Sequence, residues 1–538
     1  MSADQEITNE PSRPPMPGYQ IGLVVLLCGW SAFCLFYHLG DTPLWNDEAD
    51  TALFARSIAR TGGLNAVLDH NINAFGRGVA LRDLRMGIAP PLSYLLAAPW
   101  VGKEGTSSLM ARLPFALCGL LSVALMLYWM WRDRAEPMLW WVFSAGIAGS
   151  AALWLFCRQS RYYSLALLLT LAIAYLYLHW RGRRATLFWM SLLSIALLGT
   201  HYLPYAGLYA ALAVDYWFFH RHQRRLAGSD WLLLVGPQIV CGAAIVATYN
   251  PLGRAFAPGA GDVHPAIERL QLIWWTLRDL NQGEFGVGLA LLAAPLLAYL
   301  RRDAWLMRAV VALVAYVVVV SLVSPQVVSV TTFADIRYVS ALIPLCILIT
   351  AKVIVLVARD RAGVAFVLSL LAFGTTLLHF PVAPSRWRSS IASFVREVAT
   401  HRPTAMAAAI DWVTSNVKPG ESVWVTPDFL PYPLIYHAPQ AVYAWQLAAE
   451  PDAQFQSLPS IHFYKRQPVD VILAFGWRAE AQNVLADFEK RGVTYRREKL
   501  LRMNWDDRTR PELFWHSFRP VEKFNMGSRA VYALRRNS

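Results

Sequence analysis

The sequence predicts a polytopic α-helical membrane protein with a C-terminal soluble α/β domain. Three observations predict it. Hydrophobic residues make up 56% of the 538 and charged residues only 16%, against about 25% charged in soluble globular chains. Apolar stretches recur from residue 20 to residue 381, each close to the ~20 residues a helix needs to cross a bilayer. Beyond residue 382 the hydropathy falls and short strands alternate with helices. The 22 Trp, 22 Tyr and 25 Phe suit membrane interfaces, where amphipathic rings settle among the headgroups.

In chain order, residues 1–19 are polar, carry Pro11, Pro14, Pro15 and Pro17, and read as a disordered cytoplasmic tail. No small-residue cleavage site follows the apolar stretch Ile21–Phe36, so it reads as an anchor and not a removed signal peptide. Spans are assigned to 20–38, 110–130, 138–157, 162–180, 186–200, 202–219, 231–249, 284–300, 306–324, 337–357 and 363–381. The stretch 88–101 opens on Pro90-Pro91 and is short for a crossing, so it is assigned as a half-inserted or interfacial helix.

Five basic runs set the topology: Trp131–Arg134, Arg181–Arg184, His220–Arg225, Arg301-Arg302 and Arg359–Arg361. With 88–101 not crossing, all five fall on one side, which the positive-inside rule makes cytoplasmic. The net charge of +13 follows that pattern, which argues against a nucleic-acid partner. The opposite face collects the first outer loop 39–87, the turns at Arg158–Tyr163 and His201, the loops 250–283 and 325–336, and the domain 382–538. That domain is then periplasmic or extracellular, and the membrane is expected to be a bacterial inner membrane. Within it, 404–417 and 478–491 read as helices and 421–425, 441–445, 469–475 and 493–501 as strands, which suggests a partly parallel sheet. Cys28, Cys34, Cys118, Cys157, Cys241 and Cys346 lie in or beside apolar segments without a CxxC pair. A disulfide framework or thiolate zinc site is not expected.

The most informative stretch runs from Asp41 to Arg56 and contains Trp45-Asn46-Asp47-Glu48-Ala49-Asp50. Asn46 or Asp47 can cap a helix that continues to Thr61 and stops at Gly62-Gly63. Asp47 and Asp50, three apart, share a face of that helix. One reading is structural: carboxylates at a helix N-terminus compensate its dipole. The other is catalytic: a carboxylate at the bilayer surface accepts the proton that an acceptor hydroxyl loses as it attacks a sugar carbon.

The pattern Trp-x-Asp-Glu-Ala-x-x-Ala-x-x-Ala-Arg after a first span resembles that of GT-C membrane glycosyltransferases, especially the protein O-mannosyltransferase group and the lipid A aminoarabinose transferases. Pro90-Pro91-Leu92, Ala111-Arg112-Leu113-Pro114, Ser160-Arg161-Tyr162-Tyr163, Thr200-His201-Tyr202, Arg337-Tyr338 and Pro427-Asp428 follow in an order that agrees. The resemblance implies a GT-C architecture, with about 11–13 membrane helices where each takes ~20 residues. It also implies a polyprenyl-phosphate-linked sugar donor and inverting transfer on the outer face to a lipid, glycan or protein acceptor. Asp47 matches the acidic position proposed as base in the family. Glu48 matches the second acidic residue, which contacts the acceptor or shapes the site. One departure stands out. The aminoarabinose transferases place a Lys before the proline matching Pro90, and this chain has Ala89, with Arg82 and Arg85 as nearby replacements.

Arginine suits a phosphate because its planar fork binds two oxygens at once. Arg158, Arg161 and Arg337 sit at predicted outer ends of spans and are candidates, against the alternative of snorkelling at the interface. Tyr163 and Tyr338 adjoin two of these predicted span ends. His201 is a candidate contact or an interfacial histidine, and Asp69 a candidate site-lining group or a turn residue. The acidic loop permits a divalent cation but lacks metal-ligand spacing, so no metal ligand is assigned. No nucleotide-binding loop or His-Glu-x-x-His zinc motif occurs. Competing readings are a transporter or flippase for lipid-linked sugars, which would be expected to show inverted repeats, and a non-catalytic subunit of an envelope polysaccharide complex.

Overall fold

The computed structural model describes residues 17–73, 90–221, 225–249, 265–283, 287–324, 336–378, 389–400, 404–427, 430–447, 456–463, 467–476, 479–502 and 530–537. The first helix, α1 (Gly18–Phe36), carries no charge and buries Leu23, Leu27, Cys34 and Leu35. The chain then leaves the apolar layer for α2 (Asn46–Thr61), which stops at Gly62 in the left-handed conformation that glycine adopts without strain. A two-residue hairpin of β1 (Val67–Leu68) and β2 (Asn71–Ile72) follows. Next come α3 (Leu92–Val101) and α4 (Ser108–Arg132), whose N-terminus is capped by the Ser107 hydroxyl.

Helices α5 (Pro137–Gly149) and α6 (Ala151–Cys157) form one broken span bent by 56°. Ser150 sits at the break, and its hydroxyl accepts from the Leu153 N–H to cap the second segment. The layer continues with α7 (Tyr163–Leu178), α8 (Arg184–Thr200), α9 (Tyr202–Asp215), α10 (Gly228–Tyr249), α11 (Pro265–Gly283), α12 (Val287–Arg301) and α13 (Ala304–Val323). A 3-10 turn, Ile336–Leu342, leads into α14 (Ile343–Ala358), and α15 (Ala362–Ser369) closes the apolar part. Helices α9 and α13 approach closely at Gly207, where a Cβ would lie 2.8 Å from the Tyr316 ring. Among the described residues, α1, α4, α10, α13 and the continuous segment 336–358 are long and apolar enough to cross a membrane, and the bent pair makes a sixth. Helices α3, α7 and α8 are apolar but shorter. The stretch 265–283, expected as loop, is helical. Glu268, Arg269, Arg278 and Asp279 interrupt its apolar run, while Leu272 and Leu280 recur at helical spacing and are buried.

The short α3 fixes which loops share an end of the bundle. Ten residues rise only ~15 Å, half of a ~30 Å hydrocarbon core. Its Tyr94 packs on Phe54 of α2, so it lies beside that helix. The loops carrying basic runs are then tied together at the other end. His179 contacts Asp133 at 2.6 Å, and Lys352 lies 3.5 Å from Glu136 and 3.8 Å from Asp303. At the same end Arg308 makes a two-pronged pair with Asp215, which also accepts from the Tyr177 hydroxyl.

After α16 (Ser390–Ala399), the C-terminal domain builds on α17 (Ala405–Asn416), β3 (Ser422–Thr426), α18 (Pro431–His437), β4 (Val442–Tyr443), β5 (Val471–Phe475), α19 (Ala479–Lys490), β6 (Tyr495–Arg502) and β7 (Ala530–Arg536). The sheet order is β4-β3-β5-β7-β6. The first three strands run parallel, and β7 and β6 pair antiparallel. The partly parallel sheet expected from sequence is present. Side chains alternate across it with period two. Trp424, Ile472 and Ala474 pack toward Val484 and Phe488 of α19. Val423, Val425, Val471 and Leu473 belong to a core that continues into Ala49, Ala52 and Leu53 of α2 and Ala97 of α3. The sheet domain and α2 therefore share one interior.

Candidate functional site

The site begins with the start of α2. The Trp45 N–H donates to Glu48 Oε2 (3.3 Å), and the Trp45 carbonyl accepts from the Ala49 N–H. This local closure places Asp47 and Glu48 in the first turn, where the helix dipole favours carboxylates.

The two carboxylates lead different lives. Glu48 is fully buried. Its Oε1 accepts from Arg112 Nε (2.8 Å) and the Ser160 N–H (2.8 Å), and its Oε2 accepts from Arg112 Nη2 (2.7 Å). Arg112 also donates to the carbonyls of Leu39 and Thr42 (both 2.9 Å) and Pro43 (3.1 Å). One buried guanidinium thus gathers the linker between α1 and α2. Its charge meets one buried carboxylate with nearly every lone pair used, the condition under which a buried ion pair is tolerated.

Asp47 faces outward, with 26% of its side chain exposed. Its Oδ2 accepts from Arg337 Nη1 at 2.6 Å and lies 3.8 Å from Arg161 Nη2. Arg161 Nη1 donates to the Asp47 carbonyl and to Thr51 Oγ1, both at 3.0 Å, and lies 3.7 Å from Asp50 Oδ2. Asp50, one turn further along α2, accepts from Asn73 Nδ2 at 2.9 Å. Burial pushes the Asp50 carboxyl up to about 6, and the nearby Asp47 charge adds to the rise while Arg161 and Asn73 oppose it.

Aromatic rings line this cluster. The Arg161 guanidinium lies 5.8 Å from the Tyr162 ring centre, and Arg337 lies 5.1 Å from that of Tyr338. His201, in the turn between α8 and α9, stacks on Tyr162 at 4.1 Å and lies 6.2 Å from Tyr338. Its Nδ1 accepts from the Leu203 N–H, which caps α9 and leaves the ring proton on Nε2. Burial, reinforced by Arg161 and Arg337, lowers His201 to about 3, so the ring is neutral. Tyr163 packs against Tyr162 with ring centres 4.6 Å apart.

The fold therefore brings together Asp47, Arg161, Tyr163, His201, Arg337 and Tyr338 from four separate stretches of chain. It does not bring Arg158 or Asp69 to them. Arg158 donates to the carbonyls of Cys34 (2.7 Å) and Tyr37 (2.9 Å), closing the C-terminal end of α1. Asp69 occupies the turn between β1 and β2 at φ 56° and pairs with Arg60 at 2.6 Å. Arg82 and Arg85 lie outside the described residues. Sequence reasoning did not single out Asp50, Thr51, Arg112 or Tyr162 as site residues. Asp50 carried a signal in its spacing from Asp47, and Arg112 in being a charge inside an apolar span. Among the described residues no group of three or more His, Cys, Asp or Glu side chains is placed to hold a metal ion.

A scan of the sequence against protein-family models finds no match, and a search of curated proteins finds none either. Solved structures match over nearly the whole chain, and the fold they share with it is the GT-C fold. One is ArnT from Cupriavidus metallidurans bound to undecaprenyl phosphate: TM-score 0.54, 12% identity, 95% of this chain and 98% of that one covered. The apo state of ArnT gives TM-score 0.55 at 12% identity over 96% and 98%. The apo oligosaccharyltransferase of Archaeoglobus fulgidus gives 0.49 at 9% identity over 85% and 69%. At these identities the likeness is one of fold. With the apolar helices it identifies the chain as an integral membrane protein.

Proposed function

We propose that this protein is an inverting glycosyltransferase that moves a sugar from a polyprenyl-phosphate donor to an acceptor hydroxyl on a lipid, glycan or protein. The observation that carries the reading is the Asp47 carboxylate, part-exposed and 2.6 Å from Arg337, with Arg161 behind it. ArnT, which shares the fold, was crystallised with undecaprenyl phosphate. That ligand has the chemistry two converging guanidinium groups suit.

The reaction follows from exchanging partners. A guanidinium paired with a carboxylate makes that carboxylate a weak base. A donor phosphate entering the cluster competes for Arg337 and Arg161 and releases Asp47. The acceptor oxygen then bonds to the anomeric carbon from the side opposite the phosphate. Asp47 takes its proton, and the carbon–oxygen bond to phosphate breaks with its electron pair leaving on the phosphate. The leaving group gains negative charge as the bond breaks, so the arginines bind the transition state more tightly than the ground state. Glu48 serves as site organiser through Arg112, and Asp50 adds a second carboxylate beside Arg161.

The cluster lies at the end of the bundle opposite the basic loops. By the positive-inside rule the chemistry and the C-terminal domain face outward, periplasmic in a bacterium. The decisive experiment uses Asp47→Asn in purified membranes with a lipid-linked sugar donor. The variant is expected to express and melt as the parent does, yet to transfer no sugar. Full transfer by the variant removes Asp47 from the role of base. Donor movement across vesicles without sugar release would favour a flippase instead.

A further inference from the structure

The segment between α1 and α2 is gripped from two sides. On one side Arg112 takes the carbonyls of Leu39, Thr42 and Pro43. On the other, the Leu44 N–H donates to Nε2 of His437 at 3.1 Å. His437 ends α18 and lies 393 residues further along the chain, in the C-terminal domain. A backbone N–H needs a lone pair, so Nε2 is unprotonated and the neutral ring carries its proton on Nδ1. The ring has a second backbone hydrogen bond, with Thr106, and burial keeps the imidazole neutral, lowered to about 4. One neutral imidazole thus links the linker before α2 to the loop before α4.

The neighbouring contacts extend the grip. Arg56 of α2 donates to the Tyr436 carbonyl (2.8 Å) and to the Gly105 carbonyl (2.6 Å), with the Tyr436 ring 4.6 Å away. The Tyr436 hydroxyl donates to the Ser107 carbonyl at 3.1 Å. Leu44 itself is fully buried, so its N–H has no water to turn to. Asp47 stands three residues beyond Leu44. A shift of that backbone moves the Asp47 carboxylate relative to Arg337 and Arg161, which are anchored on other elements.

We propose that His437 is a positioning residue through which the C-terminal domain sets the placement of Asp47. The catalytic half of this proposal rests on the transferase reading; the structural half does not. Two measurements on full-length protein in detergent test it. The first is deuterium uptake by peptides spanning residues 39–53 in the parent, His437→Ala and His437→Gln. Glutamine carries one acceptor and one donor at its tip and can replace both ring contacts. His437→Ala is expected to speed exchange of the Leu44 amide about 10-fold or more, since its protection then depends on a more weakly held segment. His437→Gln is expected to restore most of the protection.

The second measurement is transfer kinetics. A misplacement near 1 Å costs about 100-fold in rate. His437→Ala is therefore expected to lower kcat about 10- to 100-fold with little change in donor KM, and His437→Gln to recover much of that loss. Unchanged uptake in His437→Ala overturns the proposal whatever the protein does. Faster uptake with parental kcat overturns its catalytic half, as does a loss that appears only in KM. If the parent releases no sugar from any polyprenyl-phosphate donor while the uptake pattern appears as expected, the transferase reading fails and the positioning of the loop stands.

Discussion

Glu48→Gln separates a carboxylate that shapes the site from one that touches substrate. Glu48 Oε1 accepts from Arg112 Nε and the Ser160 N–H, and Oε2 from Arg112 Nη2 and the Trp45 N–H. A glutamine keeps one oxygen and turns an NH2 toward the two remaining donors. Two of the four contacts become donor against donor, and Arg112 stays buried among neutral oxygens, the Leu39, Thr42 and Pro43 carbonyls and the Thr42 hydroxyl. Removing one partner of a buried ion pair typically costs about 3–5 kcal/mol. For a chain of 538 residues that predicts a fall in apparent melting midpoint of roughly 3–5 °C, read by fluorescence in detergent. Glu48→Asp keeps the charge but withdraws it by one methylene, and is expected to fall between parent and Gln. Activity should be lost in step with stability. A Glu48→Gln protein with the parental midpoint and only a raised acceptor KM would refute this reasoning, because the carboxylate would then face a ligand.

Two further outcomes follow from the same cluster. Arg337→Lys keeps the charge but loses the fork, so kcat is expected to fall about 10- to 100-fold, the equivalent of one charged hydrogen bond of ~1.5–3 kcal/mol, while the melting midpoint holds. Asp50, raised from 3.8 to about 6, binds its proton more tightly folded than unfolded. Its contribution to stability is full below about pH 4 and is lost as pH rises through 6, a span of about 3 kcal/mol. Melting curves at pH 5 and pH 8 should therefore show the parent losing more than Asp50→Asn does, and equal losses in the two proteins would contradict the shift.

Much of the architecture was legible because apolar runs and period-two alternation are local signals. The helix from residue 46 to Thr61 and its Gly62 stop follow from capping chemistry alone, although the N-cap is Trp45 and not Asn46 or Asp47. Strands at 422–426 and 471–475 follow from β-branched runs. Strand β7 carries no comparable mark, since its place beside β5 depends on partners far away in sequence. The basic runs put Asp47 and Arg337 on one face of the membrane, but their direct contact across 290 residues leaves no local signal in the sequence. Arg158 and Arg161 show the limit of residue type as a guide. Three positions apart on one turn, they look equivalent in sequence, yet one closes α1 and the other reaches Asp47. Direction of the side chain separates them: Arg158 is the C-cap of α6, and Arg161 falls in the turn before α7.

The grip of α18 on the start of α2 also has a consequence for how the protein is made. Leu44 and His437 are joined across 393 residues, a length that a ribosome takes about 20–80 s to synthesise at 5–20 residues per second. Through that interval Ala49, Ala52 and Leu53 lack the C-terminal side of their core. The acidic helix is among the first parts to emerge and among the last to be finished. A chain interrupted before α18 holds Asp47 and Glu48 without the His437 contact to Leu44 and without half of the core under α2, so the last domain made completes the surroundings of a helix made near the start.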